Sequence, residues 1–426
     1  MIRFLLKGLF RDKSRSLIPL IVVTIGVMLA VFMNGYVRGL MIDMINKTAD
    51  ISTGHVKVIT SAYSDNMDQV PNDLAIINVS SLKKDLEKTF PEMKWVCRIN
   101  FGGLIDVPDA NGETRSQGPG MGIGLDLFSE DTDETERLNL SKSLVRGSLP
   151  ANPGEVLLSE DFSQKLKVNP GEEITLIGST MNGGMAIYNF IMSGTVKFGN
   201  TGMDRGTVIA DIHDVQTALD MYDAAGEILG FSSSGFYDDE TATAVKTKFQ
   251  DTFSSDEGDF APVMLRLRDQ AGMSIFVDLT DSMAAIVIIV FMIAMSLVLW
   301  NAGLLGGLRR YGEIGIRLAI GEEKGHVYRT MITESVMIGL AGTIVGTAIG
   351  LSLSWLMQTY GIDISEFTKG GTGGIMMPDI IRSKIAPSDF YIGLIPGVLS
   401  TMAGTMLSGI GIYKRQTAQL FKELEA

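Results

Sequence analysis

Cysteine and histidine are almost absent from this sequence of 426 residues, which contains one cysteine and three histidines. One thiol cannot form an intramolecular disulfide, so the chain must fold through its hydrophobic core. The histidines, His55, His213 and His326, are far apart in the sequence, and no HExxH, CxxC or GxSxG motif occurs. These absences exclude the usual zinc, thiol-redox and serine-hydrolase motifs, and we expect no metal site and no catalytic residues.

Charge is also scarce, since Asp, Glu, Lys and Arg make up 20% of the residues against 46% hydrophobic ones. The formal net charge is −13, which argues against the basic surface that a nucleic-acid-binding protein needs. A disordered chain is excluded as well, because disorder requires low hydrophobicity. High hydropathy beside strong net charge indicates that apolar spans and a charged domain occupy different parts of the chain.

Four stretches without charged residues are long enough to cross a membrane, which takes about 20 apolar residues in a helix. They are residues 17–37, 283–308, 335–362 and 390–413. The first has the basic flank of a signal peptide, but its apolar part is too long and no A-x-A-like cleavage site follows it. We therefore expect an uncleaved anchor and a membrane protein with four transmembrane α-helices.

Basic residues set the expected orientation, because Lys and Arg are concentrated in cytoplasmic segments. Residues 1–15 carry a net charge of +4 and residues 309–332 one of +2, whereas residues 38–282 contain 20 basic and 38 acidic residues. Both termini are therefore predicted to be cytoplasmic, with 38–282 and 363–389 on the outer side of the inner membrane. The basic residues that carry this prediction are Arg11, Lys13, Arg15, Arg309, Arg310, Lys414 and Arg415.

The domain scheme that follows has one large outer domain. In chain order we expect a cytoplasmic amphipathic helix (1–16), the first span (17–37), the outer domain (38–282), the second span (283–308), a cytoplasmic segment (309–334), the third span (335–362), an outer loop (363–389), the fourth span (390–413) and a cytoplasmic tail (414–426).

The outer domain alternates between strand and helix periodicities, which predicts an α+β fold. A strand-rich subdomain is expected at about 131–210 and a helical stalk at about 269–282. A serine cap is expected at the start of a helix over 80–90, and Asp211 or Asp214 as the cap of a helix over 212–224. Strands are predicted at 55–60, 94–99, 155–159, 173–178, 187–198, 206–211 and 262–267, and further helices at 160–167 and 240–253.

Three local features of this domain invite functional interpretations and have simpler ones. The glycine-rich run 118–126 lacks the strand–GxGxxG–helix context of a nucleotide loop, and we expect a flexible or tightly turning connection. The acidic run 129–136 lacks the glycine and final glutamate of an EF-hand, and we expect a solvated loop. Cys97 lies in an alternating run and is expected to be a buried structural thiol.

Residues 309–350 carry the most specific pattern of the chain. Apolar residues at 314, 316, 318 and 320 predict a short charged helix that Gly321 ends. Two interpretations remain open: a surface on which a cytosolic partner acts, or a basic connector between spans. Gly342, Gly346 and Gly350 then repeat every four residues, which predicts close packing against a neighbouring helix.

These residues together resemble the FtsX-like, MacB-type (type VII) ABC transporter permeases, and most of all the lipoprotein-releasing LolC/LolE-type members. The match extends over essentially the whole chain. The stretch RRYGEIGIRLAIGEEKGHVYRTMITES resembles the family's coupling segment, and LVRGSLPANPGEVLLSEDFSQKLKVNPGEEITLI resembles its outer-domain signature. GIGLD before the acidic run is similar to an element of the lipoprotein-releasing subgroup, without its proline. The resemblance assigns ATPase coupling to Glu313, Ile314, Gly315, Arg317, Ala319 and Gly321.

The resemblance implies a MacB-like periplasmic core domain and a transport subunit that is not itself an enzyme. No Gly-Lys dipeptide occurs, so no P-loop is present and we expect ATP to bind to a separate cytosolic ATPase. A second permease copy or a paralogue, membrane lipid, and a periplasmic lipoprotein carrier or membrane-fusion protein are the other expected partners. Lipoprotein release by mechanical transmission is the expected role. The alternatives are MacB-like efflux of drugs, peptides or heme, and FtsX-like control of a periplasmic enzyme.

Overall fold

A computed structural model describes residues 13–253, 258–270, 272–308, 311–364 and 380–414. Residues 1–12 and 415–426 lie outside this description, as do Arg11, Arg309, Arg310 and Arg415 of the orientation set and most of the predicted amphipathic helix. Lys13, Arg15 and Lys414 lie in helices. The chain divides into a helical unit and a sheet domain, here residues 42–278, and the divisions fall between 41 and 42 and between 278 and 279.

Helices and strands follow one another as the sequence periodicities indicate. Helix α1 (Lys13–Thr48) continues as a π-helix over Ala49–Thr53. The strands of the sheet domain are β1 (Val56–Thr60), β2 (Ile76–Ile77), β3 (Met93–Pro108), β4 (Thr114–Leu125), β5 (Leu144–Gly147), β6 (Glu155–Ser159), β7 (Glu173–Ser179), β8 (Met185–Val196), β9 (Thr207–Asp211), β10 (Ala224–Ala225), β11 (Glu227–Ser232) and β12 (Pro262–Arg266). Its helices are α2 (Ser61–Asp65), α3 (Val79–Thr89), α4 (Glu134–Arg137), α5 (Leu140–Ser143), α6 (Glu160–Leu166), α7 (Thr201–Asp204), α8 (Ile212–Ala218) and α9 (Asp239–Phe253).

The remaining elements lie in the helical unit, apart from residues 273–278 and Asp363, which belong to the sheet domain. They are α10 (Met273–Leu308), α11 (Tyr311–Ala319), α12 (Lys324–Tyr360), the short strands β13 (Ile362–Asp363) and β14 (Ile380–Ile381), a 3₁₀ turn over Pro387–Phe390, a π-helix over Ile395–Ser400 and α13 (Thr401–Lys414). Among the residues that the structure describes, four helical segments are long and apolar enough to cross a membrane, which agrees with the four predicted spans. The fourth is not a uniform α-helix, because Pro396 has no N–H to donate.

Ten strands form one sheet in the order β12-β1-β11-β3-β4-β9-β6-β8-β5, with β7 paired to both β3 and β8. Strand β3 is 16 residues long and pairs with β11 through Met93–Arg98 and with β4 through Ile99–Pro108. The strand-rich subdomain predicted at about 131–210 is therefore not a separate unit. Its strands continue the same sheet, because β4 pairs in parallel with β9.

The predicted α+β fold of this domain is confirmed, including the predicted strands. Asp211 caps α8 by accepting the N–H of His213 at 2.9 Å, as expected. The expected serine cap of α3 is wrong. Asn78 occupies the cap position without a side-chain bond, and the N–H of Ser80 donates instead to Asp223 at 3.1 Å. A residue 143 positions away supplies this acceptor, which no local pattern reveals.

The glycine-rich run is part of strand β4, and the expectation of a flexible or tightly turning connection is wrong. Gly118, Gly120, Gly122 and Gly124 alternate along the strand and are all buried, and none has a positive φ. A Cβ on Gly122 would overlap the ring of Phe101, and one on Gly120 would lie 2.7 Å from Ile105 Cγ1. The glycines are present because large side chains of the core cross over this strand.

Candidate functional site: helix α11, glycine stripe and sheet-domain anchor

Helix α11 lies against α12 through one apolar face. Ile314 is buried and packs with Val327 and Met331, and Leu318 is partly buried against the same cluster. Gly315 is also buried, so the helix backbone approaches its neighbour on this side. These contacts hold α11 against a long helix of the same unit.

Three residues of the predicted coupling segment stabilise the C-terminal end of α11 and the turn that follows it. Gly321 has a φ of +100° and its N–H donates to Leu318 O at 3.1 Å, which closes the helix as the sequence predicts. Arg317 donates from Nε and Nη2 to the two carboxylate oxygens of Glu322, both at 2.7 Å. This planar pair fixes the turn between α11 and α12, where Glu323 takes the cap position.

The opposite face of α11 is exposed and apolar. Ile316 is half exposed, and Ile320, just after the helix, is 82% exposed. Ala319 is exposed beside them, and Glu313 lies one residue before the buried Ile314. A large exposed isoleucine on a firmly packed helix is suited to insertion into a partner protein.

We expect Arg317→Glu to weaken the ATPase coupling that the resemblance assigns to this segment. The substitution breaks the ion pair between Arg317 and Glu322, which fixes the turn at Gly321. The double variant Arg317→Glu, Glu322→Arg has a pair of opposite charges at the same positions. It should therefore recover most of the activity that the single variant loses. The rate of ATP hydrolysis by the separate ATPase that the resemblance implies, reconstituted together with this chain, measures the effect. Equal loss in the single and exchanged variants would instead indicate that Arg317 acts through a direct contact with a partner.

The glycine stripe of α12 faces helix α1. A Cβ on Gly342 would lie 2.6 Å from Val23 Cγ1, and one on Gly346 would lie 2.6 Å from the carbonyl oxygen of Thr24. A Cβ on Gly350 would lie 2.9 Å from the carbonyl oxygen of Met28. The stripe therefore brings two backbones into contact, which is the role its spacing predicts.

A polar cluster joins α1 to the start of the fourth span. Asp389 is buried, accepts a hydrogen bond from the Asn34 amide and forms an ion pair with Arg38 at 3.4 Å. Arg38 also donates to Ser388 Oγ at 3.1 Å, and the N–H of Ala386 donates to Asp389 at 2.7 Å. Sequence reasoning used Arg38 and Asp389 only as ends of apolar runs and missed that they meet.

The end of α1 is fastened to the sheet domain by a buried arginine. Arg98 of β3 is fully buried and donates to Glu134 at 2.7 and 3.1 Å. Its guanidinium also donates to the carbonyl oxygens of Asp50 and Ile51, each at 2.8 Å. These carbonyls belong to the π-helix that continues α1, so Arg98 neutralises the negative end of that helix and joins it to the sheet.

Glu134 corrects the expectation that residues 129–136 form a solvated loop. Its carboxylate is fully buried between Arg98 and Arg137, with Arg137 Nε 3.3 Å away. Glu130 and Asp131 of the same run are outside this cluster. The signal that sequence reasoning missed was Arg98 itself, a basic residue within an alternating apolar strand.

Burial shifts the pKa values of three groups near this cluster. Burial raises the pKa of Asp50 to about 6, with Arg137 acting in the opposite direction. Burial and the charge of Arg137 lower the pKa of His55 to about 4, and its ring accepts the N–H of Ser232 at 3.0 Å. Burial also raises the pKa of Cys97 to about 12, so this thiol is unreactive near neutral pH.

The segment just before α10 is hydrogen-bonded to the π-helix over Ala49–Thr53. Gln270 is buried and donates to the carbonyl oxygen of Thr53 at 2.9 Å, and Arg268 pairs with Asp278. A small apolar cluster joins the two helix segments within the sheet domain: Ile45, Ala49, Leu267 and Val277. The predicted stalk at about 269–282 thus includes the first residues of α10, which continues without a break to Leu308.

Comparison with known proteins identifies the helical part of the chain. Residues 285–417, which include α11 and the glycine stripe, match the family of the FtsX-like permease C-terminal domain. These residues form an FtsX-like permease C-terminal domain. A stretch of 132 residues, 31% of the permease, is 26% identical to the macrolide export ATP-binding/permease protein MacB of Chromobacterium violaceum. That match spans 19% of the length of the curated relative.

A solved structure was also aligned with part of the chain. The periplasmic region of MacB from Actinobacillus actinomycetemcomitans aligns with a TM-score of 0.34 at 12% identity, over 51% of this chain and 90% of that one.

Proposed function

We propose that this permease is the membrane subunit of an ABC transporter that moves substrate on the outer side of the inner membrane, with lipoprotein release as its role. ATP is hydrolysed by an ATPase that lies outside these 426 residues, and the permease acts with a second copy or a paralogue. The sheet domain is periplasmic and both termini are cytoplasmic. A periplasmic lipoprotein carrier receives the released cargo.

One observation carries this proposal: α11 is packed on α12 on one face and presents Ile316 and Ile320 on the other. An ATPase that binds this exposed face would displace α11 when its own conformation changes on ATP binding. Because Ile314 and Leu318 contact α12, the displacement passes to that helix. The glycine stripe then transfers it to α1, whose backbone it touches.

The hydrogen bonds of Arg98 to Asp50 and Ile51 support the second step of this mechanism, in which motion passes from α1 to the sheet domain. Motion along α1 reaches the π-helix over Ala49–Thr53, and Arg98 ties its last carbonyls to the long strand β3. Helix α10 is tied to the same π-helix through Gln270. A displacement of either helix therefore acts directly on the sheet domain, where the substrate is handled.

An efflux role is the second candidate, and the match to the macrolide exporter favours it. The name of that relative joins ATP-binding and permease functions in one protein. An efflux permease would work with a membrane-fusion protein, whereas a releasing permease works with a soluble carrier. Recovery of one or the other with the intact permease distinguishes the two roles.

We expect Ile320→Asp to weaken the association with the ATPase by about tenfold or more, because a charged side chain replaces an apolar anchor at an interface. Affinity purification of the permease from native membranes, with quantification of the co-purified ABC ATPase and of its ATP hydrolysis, measures the effect. Ile320 is 82% exposed and follows the last residue of α11, so the substitution removes no core contact.

Two controls accompany this experiment. Ile320→Leu keeps an apolar side chain of the same size and should keep the ATPase bound. Ile77→Asp places the same charge on another exposed isoleucine, in the sheet domain, and should leave the association unchanged. The proposal is wrong if no ABC ATPase accompanies the wild-type permease, or if Ile320→Asp and Ile77→Asp behave alike.

A further inference from the structure

The fourth span contains the π-helix over Ile395–Ser400, which fits about one more residue into its length than an α-helix would. Side-chain hydroxyls hold its carbonyl oxygens. Ser400 Oγ donates to Ile395 O at 3.3 Å. Thr401 Oγ1 donates to Gly397 O at 2.7 Å. Carbonyl groups inside a membrane need donors within the protein, and these two hydroxyls are such donors, so the π-helix is stabilised by its own sequence.

Helix α13, which follows the π-helix, contacts its neighbours through glycines. A Cβ on Gly404 would overlap Trp300 O of α10, and one on Gly409 would lie 2.5 Å from Tyr328 Cε2 of α12. In the other direction, a Cβ on Gly303 of α10 would lie 2.6 Å from a backbone carbonyl oxygen of the fourth span. These close contacts exist only while glycines occupy these places, which fixes the register of α13.

A change of the π-helix to an α-helix would move α13 to the next register. With the preceding residues held in place, each residue of α13 would move to the place now held by the residue that follows it. This is a rotation of about 100° and an advance of about 1.5 Å. Ala403 would take the place of Gly404, where its Cβ would overlap Trp300 O, and Ser408 would likewise meet the ring of Tyr328. Such a change therefore pushes α10 away from the fourth span.

A buried hydroxyl of α12 lies where the second arrangement needs a donor. Thr347 Oγ1 has no hydrogen-bond partner among the residues that the structure describes, and it lies 3.2 Å from the place of a Cβ on Gly393. The preceding carbonyl oxygen, Ile392 O, now accepts the N–H of Ile395 at 3.3 Å. In an α-helix its donor would be residue 396, which is proline and has no N–H. Ile392 O would then lack a backbone donor beside the Thr347 hydroxyl.

We propose that the π-helix is a two-state switch that sets the position of α10 in the membrane. In the state described above, the segment is π-helical and the glycines of α13 accommodate the backbone of α10. In the second state the segment is α-helical, Thr347 donates to Ile392 O, and Ala403 displaces α10. The inference goes beyond the proposed function, because it needs neither an ATPase nor a cargo.

Helix α10 is able to move because it is loosely packed within the chain. Its side chains Ile289, Ile293 and Leu297 are each more than half exposed. A groove of 570 Å³ lies between α10 and the fourth span, and Trp300 and Ala403 are among its lining residues. A displacement of α10 therefore breaks few contacts, which keeps the two states close in free energy.

The test is fluorine NMR of the full chain in lipid nanodiscs, with a trifluoromethyl label on Leu407→Cys and with Cys97→Ala to leave one thiol. Leu407 lies on the exposed side of α13, so the two states place its label in different surroundings. We expect a major and a minor resonance for this parent. Ala403→Gly should raise the minor population about tenfold, because it removes the Cβ that would overlap Trp300 O. Ala403→Val should lower the same population, because its added methyl groups enlarge the overlap.

Deleting Leu399 from the Ala403→Gly chain should abolish the minor resonance. The shortened chain reaches the present register of α13 as a continuous α-helix, so the change from π-helix to α-helix is no longer available. Leu399 is 53% exposed, and its deletion removes no core side chain. Leu399→Ala keeps the chain length and should keep both resonances. The same label at Tyr222→Cys of the sheet domain should give one resonance in every variant.

Thr347→Val tests the donor of the second state. The present state loses no hydrogen bond, whereas the second state loses the donor to Ile392 O, so the minor population should fall about tenfold. Thr359→Val is the matched control on the same helix and should leave the populations unchanged. Thr359 is exposed, and its hydroxyl donates to Trp355 O at 2.9 Å.

Equal populations in Ala403→Gly and Ala403→Val would overturn the proposal, as would a minor resonance that persists without Leu399. If the deletion variant does not fold, the two substitutions at position 403 and Thr347→Val still decide, since each keeps the chain length. No ATP and no ATPase are present in these samples. A chain that retains its ATPase but shows no second population rejects this inference alone, whereas failure of the ATPase association rejects the proposed function alone.

Discussion

Replacing Arg98 by methionine is expected to lower the free energy of unfolding of the sheet domain by about 3–5 kcal/mol. The substitution leaves the carboxylate of Glu134, which is fully buried, without its bidentate partner. It also removes the donors to the carbonyl oxygens of Asp50 and Ile51, at the end of α1. Denaturant titration followed by proteolysis of the sheet domain in the intact permease measures the loss.

The chain offers a matched control in another arginine–glutamate pair. Arg115 donates to Glu172 at 2.7 Å, but both side chains are more than a third exposed to solvent. Arg115→Met should therefore cost less than about 1 kcal/mol. If Arg98→Met and Arg115→Met destabilise the domain equally, the buried pair does not fasten α1 to the sheet as described.

A double substitution separates the ion pair from the helix anchor. Arg98→Met with Glu134→Met removes the unpaired buried charge and should recover part of the stability. It does not restore the donors to Asp50 and Ile51, so under the proposed function transmission should stay impaired although the domain is folded. Substrate movement in reconstituted membranes, compared with ATP hydrolysis in the same samples, is the readout.

Gly346→Val is expected to disrupt the contact between α12 and α1 and to cost at least about 1–3 kcal/mol. A Cβ at this position would lie 2.6 Å from the carbonyl oxygen of Thr24 and 2.9 Å from Val27 Cβ. One of these atoms belongs to the helix backbone and cannot rotate away. The two helices must therefore separate, which loses packing along the whole stripe.

Thermal aggregation of the permease in detergent, followed by size-exclusion chromatography, measures this effect. Ser352→Val places the same side chain on an exposed face of the same helix and should leave the midpoint unchanged. If Gly346→Val is as stable as Ser352→Val, the stripe is not a close helix contact. A stable Gly346→Val variant with normal ATP hydrolysis would also remove α12 from the transmission route.

The sequence determined the features that depend on neighbouring residues. Strands β6 and β12 lie where the sequence predicts them, and Gly321 ends α11 because a residue with positive φ is required there. The four spans were also predictable, because apolar length alone decides whether a helix can cross a membrane. The spacing of Gly342, Gly346 and Gly350 predicted close helix packing for the same reason, although it did not indicate the partner.

The tertiary structure decided the features that join distant residues. Position 122 requires glycine because the ring of Phe101 covers it, and this contact exists only when β3 and β4 are paired. Likewise, Arg98 contacts Glu134 and Ile51 only in the folded sheet domain. In β8 both faces are largely apolar, so alternation did not show that Ile187 faces outward while Phe190 enters the core. Periodicity reports which residues share a face, but which face is covered depends on what the rest of the chain packs against it.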